Sequence, residues 1–161
     1  MKRAILCLGV AVLALASAVS GVGQASAAPM QNFSTNGTTF GTFGDHSFCR
    51  GAITYRVDAV AKKRGVVRVT ATSHGFSGQG PSWVRSPKCR FLFRSATTSV
   101  RGIDLEEWTV GSFGPRPGQK QTWHVVTGSG PAWMGITTYA VNSAVRILQS
   151  PAGPSFFMTV P

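Results

Sequence analysis

Between Ile53 and Thr72 the chain alternates apolar and polar residues in two consecutive runs, and no other feature limits its fold as much. Ile53, Tyr55, Val57, Ala59 and Ala61 interleave with Thr54, Arg56, Asp58 and Val60; Val67, Val69 and Ala71 interleave with Arg68, Thr70 and Thr72. A period of two belongs to a pleated strand with one buried face, not to a helix. Lys62, Lys63, Arg64 and Gly65 separate the runs. A three-residue loop of Lys63, Arg64 and a left-handed Gly65 predicts a hairpin in which Ala61 faces Val67, Ala59 faces Val69 and Val57 faces Ala71. Both strands then bury the same face, which a register shifted by one residue would forbid. The basic triplet becomes a solvated hairpin tip. Charge there discourages edge pairing, and it also attracts anions from a distance.

The rest of the chain reads the same way. Residues 28–44 form a loose arm or an edge strand rich in Gly, Thr, Ser and Asn, with the better strand character at Thr38–Phe43. Ser73–Cys89 reads as a long loop dense in Gly, Pro and Ser. Arg90–Thr98 places Phe91 and Phe93 on one face and Arg90 and Arg94 on the other. In Asp104–Val110, Thr109, Val110 and the Gly/Pro-rich breaker after them favour a strand over a helical turn capped by Asp104. Lys120–Gly128 is a strand with Trp123 and Val125 together; Ile136–Val141 and Ser155–Pro161 are two more. Ser143–Leu148 fits either a short helix or a strand. About seven or eight short strands between Gly and Pro turns make an all-β chain: an antiparallel β-sandwich (Ig-like) or a small barrel.

The first 27 residues read as a secretory signal peptide. Lys2 and Arg3 precede the apolar run Ala4–Val19, and Ala25-Ser26-Ala27 offers small residues for cleavage. The remainder of the chain divides into the arm at 28–44 and one domain at 45–161, with no further run apolar enough to span a bilayer. An extracellular address makes a disulfide the expected state of Cys49 and Cys89, against a free catalytic thiol as the alternative. Closing that loop is worth about 4 kcal/mol on loop-closure entropy.

Cys49, Gly51 and Ile53, then Val67-Arg68-Val69, His74-Gly75-Phe76 and Cys89, give the first half of the exported chain a layout that resembles small secreted actinobacterial β-sandwich proteins with a single disulfide. The resemblance implies the fold and secretion, and it supplies no functional site.

The chain carries 16 Lys and Arg against 5 acidic residues; two of the cations leave with the leader, so the exported part has a net charge of +9. Such an excess favours anionic partners, or serves only to keep a small protein soluble. Catalytic motifs are missing from the sequence. His46, His74 and His124 lack metal-ligand spacing. Asp104, Glu106 and Glu107 are the one carboxylate cluster, in which Glu106 and Glu107 face opposite sides of a strand and diverge on a helix, and no nucleophile elbow, phosphate loop or nucleic-acid module is present. Asp45 and His46 with His74 are the one loop pairing worth inspecting.

The expected function is therefore non-enzymatic and extracellular: binding of an anionic cell-envelope polymer or of a protein, with no cofactor, no metal and no nucleic acid. Trp83 and Trp133 each stand just after Gly-Pro, so they read as loop platforms, unless they fold back to cap the sandwich; for Trp108 and Trp123, inside strands, burial is the stronger expectation. Arg85 and Lys88 would hold an acidic group beside Trp83. Lys62, Lys63 and Arg64 would add long-range attraction. An inhibitor or toxin-like effector presenting Gly75–Lys88, and a hydrolase assembled from loops, are the other expectations.

Overall fold

The two alternating runs form the inner pair of a four-stranded sheet. The structure is a computed structural model and describes Met30–Pro161. The leader read at 1–27 and the first two residues of the arm lie outside the described residues. In chain order the elements are β1 (Asn32–Ser34), β2 (Thr39–Phe43), β3 (Arg50–Ala59), β4 (Val66–Ser77), α1 (Gly80–Arg85), β5 (Cys89–Ser99), β6 (Asp104–Phe113), β7 (Lys120–Val126), β8 (Gly130–Tyr139) and β9 (Ser155–Val160). They make one sheet ordered β1-β9-β8-β5-β6 and another ordered β2-β3-β4-β7, with every pairing antiparallel. The sheets do not close on each other, so the sandwich reading holds over the barrel. The arm is shared: β1 edges one sheet and β2 the other.

The core lies where the inward positions of both sheets meet. Ile53, Tyr55, Val57, Val67, Val69, Trp123 and Val125 of the four-stranded sheet pack against Phe91, Phe93, Met134, Ile136, Phe156 and Met158 of the other. Phe93 is central: it meets Tyr55 edge-on at 6.3 Å and stacks on Trp123 at 5.0 Å. These are the arrangements that ring quadrupoles favour. Trp123 buries its indole N–H by donating to Ser95 Oγ at 3.0 Å, so the ring carries no unpaired donor into the core.

Cys49 and Cys89 are bonded, with Cα atoms 5.7 Å apart. Cys49 immediately precedes β3 and Cys89 opens β5, so the bridge joins the two sheets at one end of the sandwich. Both cysteines are fully buried. Gly44 packs so closely here that a Cβ would stand 2.6 Å from Cys89 Sγ.

Four local expectations are corrected. First, the β3–β4 register is displaced by two residues: Ala59 pairs with Val67, Val57 with Val69 and Tyr55 with Ala71. The connection is longer than a three-residue loop: a turn closed by Lys63 N–H to Val60 O at 3.2 Å comes first, and then Gly65, left-handed as expected with φ of 67°. Its N–H donates to the Pro161 carbonyl at 2.9 Å, and its own carbonyl accepts from Thr127 and Gly128 at 2.9 and 3.1 Å. Within the connection Lys62 also adopts a left-handed φ of 62°. Because the shift is even, every side chain keeps its expected face. Second, Ser73–Cys89 is not one loop: β4 runs on to Ser77, and Gly80–Arg85 coils into α1 with Pro81 in its first turn.

Third, Ser143–Leu148 is neither helix nor strand. It is the return of a bend fixed by the Asp45 carboxylate, which accepts the amides of Val141 and Asn142. Ala140 N–H to Ile147 O and Gln149 N–H to Thr138 O close it against the end of β8. Fourth, Trp108 is not core. It lies half-buried on the outer face of β6, the face on which Val110 and Glu106 also stand.

Candidate functional site

The outer face of the four-stranded sheet follows from the same alternation. Cross-strand register sets Asp58, Arg68 and His124 in one row, Arg56, Thr70 and Thr122 in the next, and Thr39, Thr54, Thr72 and Lys120 in a third. Thr54 Oγ1 lies 2.6 Å from Thr39 Oγ1 and 2.7 Å from His74 Nε2. Asp58 is the sole acid on this face, bound by Arg56 at 2.9 Å. At the β3–β4 connection Lys62, Lys63 and Arg64 are all exposed. The face and its tip thus hold Arg56, Arg68, Lys120 and the basic triplet against one carboxylate.

The other sequence-predicted residues lie elsewhere. Trp83 and Arg85 sit on α1, and Lys88 precedes β5, all at the disulfide end. That end is separated from the basic tip by the whole of β4, about 40 Å at a strand's rise. Trp83 is half-buried and packs on the core. Its ring covers Gly78, where a Cβ would stand 2.5 Å from Cδ2, and lies 6.2 Å from the His46 ring. It folds back as a cap, while Arg85 and Lys88 stay exposed. Trp133 is in β8 rather than in a loop, on the outer face of the five-stranded sheet. The seven candidates therefore occupy three places.

On that outer face Trp133 has neighbours that sequence reading did not associate with it. In register it stands between Thr98 of β5 and Phe157 of β9, and Phe157 stacks on Phe33 of β1 at 5.8 Å. Trp133 leans over Gly135, where a Cβ would be 3.0 Å from its Cη2. Beside it a groove of about 300 Å³ is lined by Arg94, Ala96, Trp133, Gly135, Thr137 and Gly153, among others. Arg94 Nε donates to Glu106 Oε1 at 3.0 Å. The hydrogen bond from Arg94 is the main reason the Glu106 carboxyl is held below the usual carboxylate range, and the same bond raises Arg94. Further along, Trp108 packs on Tyr139 at 5.3 Å with Arg94 and Arg146 over its ring at 5.9 and 5.0 Å. The signal for Arg94, Glu106 and Trp108 was present in the sequence as outward alternation, but only the β5–β6 and β5–β8 registers bring them to Trp133.

The groups inspected for catalysis are dispersed. Asp45 is engaged by the amides of Val141 and Asn142, His46 Nε2 lies 3.2 Å from the Ser82 carbonyl oxygen, and His74 is on the opposite sheet's outer face. Among the described residues no three His, Cys, Asp or Glu side chains gather as a metal site, and no helix is long and apolar enough to cross a membrane. Compared with protein-family models, with curated proteins and with solved structures, the chain matches none.

Proposed function

We propose that this chain is a secreted, non-enzymatic binding protein that attaches to an anionic polymer of a cell envelope. One observation carries the reading: the outer face of the four-stranded sheet and the β3–β4 tip gather Arg56, Lys62, Lys63, Arg64, Arg68 and Lys120, with Asp58 alone opposing them. A flat array of cations interleaved with threonine hydroxyls meets a repeating anion along its length. Arginine and lysine supply the attraction, and the hydroxyls supply short-range hydrogen bonds. The buried inter-sheet disulfide supports an oxidising destination. The dispersion of histidines and carboxylates supports binding rather than catalysis.

The test is retention of the purified protein on isolated cell envelope, and on immobilised heparin as a polysulfated probe, across a salt series. Retention should weaken steadily as salt shortens the Debye length. Replacing Lys62, Lys63 and Arg64 together by Ala should weaken binding by on the order of 100-fold at low salt, taking about 1 kcal/mol per charge near an anionic surface. Arg68→Ala with Lys120→Ala should add to that loss, whereas Trp83→Ala should not. Retention that ignores salt removes the electrostatic reading.

A further inference from the structure

We infer that the outer face of the five-stranded sheet is a separate site for a neutral oligosaccharide, with a pyranose ring stacked on Trp133 and its hydroxyls held by the Arg94–Glu106 pair. This face lies opposite the proposed polyanion surface, so either site can fail alone.

Four features point to a sugar. The indole of Trp133 is partly exposed and its six-membered ring leans toward Gly135, which has no side chain to push it away. The C–H face of a pyranose packs on an indole, because the ring's negative π-face attracts polarised hydrogens. Beside it the floor of the groove is Gly135 and Ala96, paired in register, so the depression of about 300 Å³ comes from small residues on two central strands. That volume lies at the small end of ligand sites. The polar edge of the groove includes the Arg94 guanidinium, bonded to Glu106, which stands on the neighbouring strand directly opposite Ala96. Vicinal hydroxyls both donate and accept, and Arg94 offers donors where Glu106 offers acceptors. The pair is charge-balanced, so an anion gains nothing from Arg94 that Glu106 does not oppose.

The fourth feature is length. Trp108 stands two strands over and four residues along from Trp133, packed on Tyr139 of β8, and the Arg94 and Arg146 guanidinium groups over its ring extend the polar edge of the face. Strand rise and spacing put the backbone positions of the two tryptophans roughly 16 Å apart, with Arg94 and Glu106 between them. The spacing suits a chain of several sugars better than a monosaccharide. A peptide adding as a strand is disfavoured, since β8 and β5 are central and have no free edge.

Cellotetraose, chitotetraose, xylotetraose and maltotetraose are titrated into the purified full chain, following tryptophan fluorescence and calorimetric heat. At least one should bind at millimolar concentration or below. Trp133→Ala should then weaken it about tenfold, the scale of one lost stacking contact. Ala96→Met, which fills the floor and leaves Trp133 in place, should weaken it as much, with far-UV circular dichroism confirming the fold of each variant. The Lys62, Lys63 and Arg64 triple variant should bind the sugar as the parent does. Two results overturn the inference: no binding of any of the four by the parent protein, or binding that survives both Trp133→Ala and Ala96→Met.

Discussion

His46, Ser47 and Phe48 have φ of 107°, 56° and 49°, three consecutive non-glycine residues in the left-handed region. Each such residue costs roughly 1 kcal/mol or more. Local bonds hold the turn: Cys49 N–H to His46 O, Gln79 N–H to Ser47 O, and Ser47 Oγ against Ser82 Oγ at 2.6 Å. Phe48 is 83% exposed, so its side chain contributes little packing. Phe48→Gly should therefore raise stability by about 1 kcal/mol, read as a higher urea midpoint at unchanged slope. Tyr55 shows the reverse situation, a side chain whose burial sets its chemistry. Burial pushes its phenol well above the ordinary value near 10. The folded state thus favours the neutral form. Its contribution is complete below about pH 10 and is lost as pH rises above that, because the unfolded chain ionises first. Thermal melts from about pH 8 to 12 should show a steeper alkaline loss in the parent than in Tyr55→Phe.

Among the elements, β3 and β5 are the pair whose connection matters most, since the disulfide ties their first turns across the two sheets. Replacing Cys49 and Cys89 together by Ser should cost about 2–5 kcal/mol, measured by denaturant unfolding. A loss much under 1 kcal/mol would show that Phe76, Phe91 and Phe113, which cluster at 5.0 to 6.0 Å beside the bridge, hold that end unaided. How far elements were legible in the sequence depended on how local their causes were. The inward faces of β3 and β4 could be read from Ile53 to Ala71, because a period of two survives an even slip. The register could not, because it follows from the length of a connection whose Gly65 takes its partners from Pro161 and Thr127, about a hundred and about sixty residues away. α1 was hidden for a similar reason: its six residues are too few to show a period, and Trp83 is placed by Gly78 and His46. The aromatic and the cation of the sheet-face groove could each be read as outward residues. Their meeting depended on strand order, and nothing in Arg94–Glu106 or in Trp133–Gly135 announces which strands become neighbours.

At the scale of the whole molecule, the charge excess is unevenly placed. The outer face of the four-stranded sheet and its tip carry one acid, Asp58, whereas Asp104 and Glu106 stand on the outer face of the other sheet beside Arg94. Net charge read from composition gives the total and hides this division. Cations also stand on the aromatic face, where Arg94 and Arg146 lie over Trp108, but there two acids accompany them. Each outer face is written entirely in alternate positions of its strands. Arg94, Ala96, Glu106, Trp108, Trp133 and Gly135 share no position with Phe91, Phe93, Met134 or Ile136, which fill the interior. Outward substitutions of this kind usually change stability by no more than about 0.5 kcal/mol. The scaffold therefore behaves like a printing plate: its type can be reset for a new ligand while the block behind it stays locked.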